Sequence, residues 1–551
     1  MARFFVQNFG CRATQADGAA LERQFLERGL ERAGAARDAE IVVLNTCTVT
    51  EGADKDARAS IRRLQRDNPD CRILVTGCYA QRAPQELARI PGVTWVVGNS
   101  HKHQAAEIVA ASSFSTGFVS LAQLSGDPAE FPPNRKERGL VGHVRERVGH
   151  PDVVVGDIFA HTELLAAPVF EAANERTRPN LKVQDGCDNR CSFCVIPSVR
   201  GQSRSLPLER VIEEVRVLVD AGYREVVISG INLGRWGRDL AVVGRRWVVV
   251  GESLPATFEE TWVDPSLTPH AARPATNGQR LATLIRGILN HTSLEKLRVS
   301  SVEPMDWSDE LIQLVAESPR IAKHAHVPLQ SGSDAVLRRM HRKYRPAHYR
   351  EKILKIRSAM PGAAIGADVM VGFPGETEAE FAETREMVQE LPFTYLHVFT
   401  YSARPGTPAA EQSGQVPVAV ARERNRQLRE IAGVKKKAFA KGLVGSTVEA
   451  ITLQSRSPGF TEALTDNYLR MRVPGQLEAN RWLAVMVDGA DGETLLGRNQ
   501  FHCGANPSPP VVSAPQNGPP EFNAEVLGSP IKSLTCNPLQ VYDQENPEMR
   551  E

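Results

Sequence analysis

The first hundred residues alternate between two hydrophobic periods. RFFVQ (3–7), EIVVLN (40–45) and RILVT (72–76) are apolar runs of strand length. The stretch from Asp17 to about Gly29 and DARASIRRLQRDN (56–68) instead repeat apolar residues at helical spacing. Strand, helix, strand, helix, strand predicts parallel strands joined by right-handed crossovers. From Asn180 the alternation resumes with LKVQ (181–184), EVVIS (225–229), KLRVSS (296–301), HAHVPL (324–329), GADVMVGF (366–373) and YLHVFTY (395–401). Helical patterns such as LPLERVIEEVRVLVDAG (206–222) lie between them. Six strands so spaced predict a barrel or partial barrel whose chemistry sits at the carboxyl ends of its strands. After Arg429, VGSTVEAITL (444–453), YLRMRV (468–473) and WLAVMVDG (482–489) alternate as short strands between Gly and Pro turns, the pattern of a small antiparallel barrel.

The expected class is therefore α/β in several parts. An N-terminal parallel-sheet domain (1–112) leads through a linker with a variable loop (113–178) to a central partial (βα)6 barrel (179–430). A C-terminal β-barrel (433–502) and a Pro-rich tail expected to be disordered (503–551) follow. Residues 125–150 are rich in charge, Pro and Gly, as a flexible loop would be. Residues 237–278 carry RRWVVVGESL and then Pro, Thr and Ala without helical period, which suggests an inserted hairpin plus loop.

Composition narrows the class without naming a function. The chain has 551 residues and is 42% apolar, with no run long enough to span a bilayer. MARFFVQNFGC lacks the pattern of a secretory signal, so a cytoplasmic protein with no membrane partner is expected. A net charge of +1 advertises no polyanion. Two local basic runs, RRMHRKYRPAHYR (338–350) and Lys435-Lys436-Lys437, either are solvated helix faces or hold phosphates and stack on bases.

The nine cysteines carry the strongest signal. Their odd number and the expected compartment argue against a disulfide framework and for metal or redox chemistry. Cys187, Cys191 and Cys194 follow the first barrel strand with gaps of three and two residues. A structural zinc site wants four ligands, whereas three thiolates suit an iron–sulfur cube with one iron left for a substrate. Cys11, Cys47 and Cys78 each lie just past the carboxyl end of a predicted parallel strand, so the topology gathers them into a second three-cysteine site. Cys71 precedes its strand, at the opposite edge, and Cys536 lies in the tail; neither is expected to be a ligand.

CDNRCSFCVIPSVRG (187–201) resembles the cluster motif of radical S-adenosylmethionine enzymes, specifically their methylthiotransferase branch. FGCRATQ, LNTCTVT and VTGCYAQ around Cys11, Cys47 and Cys78 carry the likeness further, as do RVSSVEP (298–304), HVPLQSGSDAVLRRMHRKY (326–344) and GADVMVGFPGET (366–377). The likeness extends to about residue 500 and is greatest to the enzymes that act on threonylcarbamoyladenosine in tRNA; the last barrel resembles the RNA-binding TRAM domain. Thr14 before Gln15, Asp188 where many members have Asn, the insertion and the tail depart from the family pattern.

The resemblance implies a [4Fe-4S] cluster on Cys187, Cys191 and Cys194 that binds S-adenosylmethionine and generates a 5′-deoxyadenosyl radical, and a second [4Fe-4S] cluster on Cys11, Cys47 and Cys78 concerned with sulfur delivery. It also implies tRNA, a one-electron donor of flavodoxin or ferredoxin type, and a sulfur source as partners. Gly230, Ser300, Glu303 and Asp368 either line the S-adenosylmethionine pocket or are turn and core polar residues. Phe193 either covers the cluster or packs. No catalytic residue beyond the cluster ligands is legible. Rival functions are methylthiolation of isopentenyladenosine or of a ribosomal-protein aspartate, a two-cluster electron carrier, and a zinc-bearing RNA-binding protein. A carrier commonly has four cysteines per cluster, and here both sets hold three.

Overall fold

The computed structural model describes residues 2–113, 151–160, 164, 177–243, 246–249, 280–454 and 457–499. The N-terminal sheet has strands β1 (Arg3–Asn8), β2 (Glu31–Arg32), β3 (Ile41–Thr46), β4 (Arg72–Gly77), β5 (Val93–Gly98) and β6 (Asp152–Val154), in the order β2-β1-β3-β4-β5-β6 and all parallel. Helices α1 (Arg12–Glu27), α2 (Glu51–Asp67), α3 (Cys78–Arg82), α4 (Pro84–Ala88) and α5 (Ala105–Ser113) connect and flank it. IVVLNT is buried at every position because helices cover both faces, which is why it reads as an unbroken apolar run. Helix α1 starts five residues before the expected Asp17, directly at the Cys11 N-cap. Strand β3 runs to Thr46, whose hydroxyl donates to the Thr76 carbonyl at 2.6 Å, so Cys47 follows the strand without a gap.

The central region holds β7 (Asn180–Asp185), α6 (Ile196–Arg200), β8 (Arg204–Ser205), α7 (Leu208–Asp220), β9 (Glu225–Gly230), β10 (Leu240–Val243), β11 (Arg246–Val249), α8 (Arg280–His291), β12 (Lys296–Val299) and α9 (Asp309–Glu317). It continues with β13 (His324–His326), α10 (Asp334–Arg339), α11 (Pro346–Ala359), β14 (Ala364–Val371), α12 (Glu378–Glu390) and β15 (Tyr395–Thr400). Strands β7, β9 and β12 pair in parallel, as do β13, β14 and β15. The two groups join through the Ala322 amide on the Leu297 carbonyl and the Val302 amide on the His326 carbonyl. The result is the expected six-stranded partial barrel. Strand β13 is shorter than HAHVPL suggests, because Pro328 lacks an N–H and Gln330 turns the chain at φ 64°.

Leu181 and Val183 of β7 point outward into the main apolar core, whereas Lys182 on the other face meets Asp17 of α1. The N-terminal region thus packs on the inner face of the barrel. β10 and β11 pair as the antiparallel hairpin expected at the start of the insertion. The rest of the insertion, the loop at 125–150 and the tail lie outside the described residues.

Helix α13 (Val418–Gly442) runs unbroken from the barrel into the last region. Strands β16 (Thr447–Thr452), β17 (Phe460–Thr465), β18 (Arg470–Pro474), β19 (Trp482–Asp491) and β20 (Thr494–Asn499) close a five-stranded barrel. It is not wholly antiparallel, since β18 and β20 pair in parallel. The lysine run lies within α13, not at the opening of this barrel; Lys435 donates to the Leu391 carbonyl at 2.9 Å and Lys436 pairs with Glu493 at 2.8 Å. Burial lowers the Lys435 ammonium to about 8, as expected of a lysine used inside the protein. No helix among the described residues is long and apolar enough to cross a membrane.

Candidate active site at the barrel mouth

Cys11, Cys47 and Cys78 follow β1, β3 and β4 in turn. Glycine shapes two of these ends. A Cβ on Gly10 would lie 2.6 Å from the Cys47 Cβ, and one on Gly77, at φ +101°, would lie 2.3 Å from the Thr46 carbonyl oxygen. The backbone therefore closes around Cys47 as only glycine allows. Cys11 is exposed, while Cys47 and Cys78 are buried. Burial first, then the neighbouring Cys78 and Cys11, pushes the Cys47 thiol up to about 12. A buried thiol among two others is stable as a thiolate only around a cation. Asn99 Nδ2 donates to Cys78 Sγ at 3.5 Å, and Thr14 Oγ1 lies 3.6 Å from Cys11 Sγ.

The second set sits on the loop after β7. Gly186, at φ +70°, leaves no room for a Cβ, which would fall 1.8 Å from the Gln202 carbonyl oxygen. The Asn189 amide and Asn232 Nδ2 donate to Cys187 Sγ at 3.4 and 3.6 Å, and Arg342 donates to Cys191 Sγ at 3.2 Å. Burial first, then Cys191 and Cys187, pushes the Cys194 thiol up to about 12. Sulfur donors in threes, with N–H groups turned toward them, fit iron–sulfur clusters. Phe193 packs with Phe373, edge to face at 6.5 Å.

Sequence reasoning missed Arg342 and Asn232. Arg342 belongs to the basic run of 338–350, whose other arginines form ion pairs: Arg338 and Arg345 with Asp334, Arg339 with Glu380, Arg350 with Glu390. Only Arg342 of these turns inward, to Cys191 and to Glu303. Asn232 was findable, since it lies two residues past the end of β9, at the functional edge of the barrel.

Glu303 lies beside Cys191 in a cleft that Asn189, Arg235 and Tyr344 also line. Burial raises its carboxyl above the ordinary range although Arg342 opposes the shift. Gly230 gives space to Gln184, whose Oε1 would be 2.8 Å from an added Cβ. That glutamine accepts from the Asn232 amide at 2.7 Å and donates to the Gly186 carbonyl at 2.8 Å, tying the two sides of the cysteine loop together. Ser300 is half-buried, and its amide donates to the Ile228 carbonyl. Asp368 stands apart from these, within β14, beside His326 and His397.

Helix α6 joins the two cysteine sets. Val195 and Val199 pack on Cys78, and Asn99 Nδ2 donates to the Val199 carbonyl at 2.8 Å. Arg200, at the end of α6, binds both oxygens of Asp185 at 2.9 and 3.0 Å and Asp17 at 3.0 Å. Lys102 and Lys182 also bind Asp17, and Lys182 binds Asp185. Burial alone would raise Asp17, but Lys102, Lys182 and Arg200 hold its carboxyl well below the ordinary range. Three cations face two carboxylates. Against burial, Asp185 first, then Cys78, Asp17 and Cys11, hold Arg200 protonated.

Residues 3–98 match "Uncharacterized protein family UPF0004", and residues 181–241 and 263–388 match the radical SAM superfamily. With its three-cysteine loop after the first strand of a partial barrel, this is a radical S-adenosylmethionine enzyme. Threonylcarbamoyladenosine tRNA methylthiotransferase MtaB of Bacillus subtilis (strain 168) is 34% identical over 86% of this chain and 91% of its own. A tRNA-2-methylthio-N(6)-dimethylallyladenosine synthase of Novosphingobium aromaticivorans is 30% identical over 90% of this chain and 97% of its own. Among solved structures, the radical S-adenosylmethionine methyltransferase TsrM of Kitasatospora setae aligns over 83% of this chain and 79% of its own, at 15% identity and a TM-score of 0.44, too loose a likeness to bear on function. The chain belongs to the methylthiotransferase family of radical S-adenosylmethionine enzymes. S-adenosylmethionine and iron–sulfur chemistry come with that membership.

Proposed function

We propose that the chain transfers a methylthio group to carbon 2 of N6-threonylcarbamoyladenosine, next to the anticodon of tRNA, using two [4Fe-4S] clusters. The observation that carries this reading is the pair of three-cysteine sets held on either side of one five-residue helix, α6. Cys187, Cys191 and Cys194 would hold the cluster that binds S-adenosylmethionine, and Cys11, Cys47 and Cys78 would hold the other. When bound, these groups would supply one-electron cleavage of a C–S bond and a point from which externally supplied sulfur is delivered.

The chain's own residues orient and enclose. Asn232 and Arg342 fix Cys187 and Cys191 by hydrogen bonds to sulfur. Glu303, which lines one cleft with Cys191, would accept from the amino group of S-adenosylmethionine, and Gly230 and Ser300, at carboxyl strand ends, would line the same pocket. Helix α1 covers the inner face of β7 and excludes water from that side. The C-terminal barrel holds the tRNA, the electron comes from a flavodoxin- or ferredoxin-type donor, and the sulfur from an external source. The preference for threonylcarbamoyladenosine follows relatives bearing that substrate in their names at 31–34% identity, against 30–31% for the dimethylallyladenosine enzymes.

Mass spectrometry of tRNA nucleosides tests the reading. The host lacks its own methylthiotransferases but keeps threonylcarbamoyl and isopentenyl modification. Wild-type chain is expected to give the methylthio derivative of threonylcarbamoyladenosine, and Cys187→Ala and Cys47→Ala to give none. An adduct on isopentenyladenosine instead overturns the substrate while keeping the chemistry.

A further inference from the structure

The barrel lumen carries a polar cluster that the cysteine sites do not use. His326, Asp368 and His397 sit on the adjacent strands β13, β14 and β15, with Asp368 directly opposite His397 in register. Asp368 Oδ1 lies 3.4 Å from His326 Nε2 and 3.7 Å from His397 Nδ1, and the two rings are 5.4 Å apart. One ligand atom from each of the three lies within 4.8 Å of the others. His326 is 8% exposed; its Nε2 faces Asp368, while its Nδ1 has no hydrogen-bond partner among the described residues. Buried polar atoms are normally satisfied, so an unpartnered ring nitrogen beside this cluster points to a ligand. The His397 side chain is 62% exposed, which leaves the cluster open on one side.

We propose that His326, Asp368 and His397 form the subsite that recognises the carboxylate-bearing threonylcarbamoyl arm of the base, an inference that rests on the substrate reading above. The imidazole N–H groups donate to the carboxylate, and Asp368 accepts from the arm's hydroxyl or urea N–H. Location agrees, because the Val302 amide donates to the His326 carbonyl at 3.0 Å, which ties the residue before Glu303 to the strand that carries His326. The subsite therefore adjoins the loop that carries Glu303. An apolar prenyl arm would bury these groups without partners, the costly arrangement by which polar sites reject apolar analogues. Positive groups stand near the cluster: besides burial, Arg298, His326, Arg12 and His397 all act to keep a proton off nearby His324.

A two-by-two comparison tests the subsite. Full-length, cluster-loaded wild-type and His397→Ala proteins are assayed on anticodon stem-loops bearing either threonylcarbamoyladenosine or its threonine amide, which lacks the negative charge. Stem-loop affinity by fluorescence anisotropy, KM and kcat are read for each pair. Losing a charge-assisted hydrogen bond predicts a drop of roughly 10- to 100-fold in wild-type kcat/KM for the amide, mostly in KM. His397→Ala is expected to lose about as much on the acid and little more on the amide, and His397→Gln, which keeps a donor, to recover part. Equal wild-type activity on both stem-loops, or losses that simply add, overturns the subsite while leaving the substrate reading intact. Wild-type protein inactive on the acid stem-loop but active on isopentenyladenosine overturns the substrate reading itself. A stoichiometric metal other than iron, absent from His397→Ala, overturns the subsite in favour of a metal site.

Discussion

Asp17→Asn is the most revealing single change outside the cysteines. The Asp17 side chain is 2% exposed and takes hydrogen bonds from Lys102 and Arg200 at 3.0 Å and from Lys182. Asparagine keeps the shape and removes the charge, leaving Lys182 and Arg200 to share Asp185 and Lys102 without a carboxylate. Lys102 is then held by Asn45 Oδ1 alone among its named partners, at 3.2 Å. Removing one partner of a buried ion pair costs about 3–5 kcal/mol, against ~0.2–1 kcal/mol for an exposed pair such as Arg23–Glu27. Because the group joins α1 to β7 and α6, the loss falls on the seam between the N-terminal sheet and the barrel. Hydrogen exchange of α1 and β7 amides in the full chain reads it directly, as a rise in local opening of roughly 150- to 5,000-fold. The sign with pH follows. Asp17 sits below its ordinary 3.8, so its stabilisation is complete above that value and is lost as pH falls through and below it. Acid should therefore loosen α1 in the wild type. Asp17→Asn should lose part of that dependence, with Asp185, lowered in the same way against its burial, supplying the rest. A rise in opening below tenfold, or one no larger than for Arg23→Ala, would refute the reasoning.

Arg342→Met removes the N–H on Cys191 Sγ and leaves Glu303 enclosed without its cation, so reductive cleavage of S-adenosylmethionine, read as 5′-deoxyadenosine, should fall about 10- to 100-fold. Gly77→Ala brings a Cβ to 2.3 Å from the Thr46 carbonyl oxygen at a positive φ, a strain of about 1–3 kcal/mol that displaces Cys78; iron and sulfide per chain should drop to about half. Thr377 caps α12 in a reciprocal capping box with Glu380, and Thr377→Ala should cost about 1 kcal/mol, read from the urea midpoint.

The cysteine geometry was legible because it depends on local pattern. Buried parallel strands announce themselves as apolar runs, and a turn residue beside each cysteine marks a carboxyl end. VTWVVG, now β5, has the same character but carries no cysteine, and went unassigned. What stayed hidden depends on pairing between distant residues. Nothing in the local sequence links Asp17 to Lys182, or tells Arg342 from the arginines around it, because each charge is defined by a partner brought close only by the fold. Charge density was a poor guide to RNA for the same reason. Lys435 and Lys436 are consumed by Leu391 and Glu493. Asp368 stood open in sequence between the cofactor pocket and an ordinary core polar residue, because the two histidines beside it come from neighbouring strands.

Helix α6 makes one covalent step serve two sites. From Cys194 the chain passes to Val195 and Val199, already against Cys78, so the separation between the two sulfur sets is measured out in five residues of backbone. A hinge between the N-terminal sheet and the barrel would tear this seam, and a residue inserted into VIPSVR would rotate both sets at once. Such an enzyme has little freedom to acquire new substrates by re-aiming its domains. Its evolution is channelled into the lumen, where single side chains on β13 to β15 can change without disturbing the ruler.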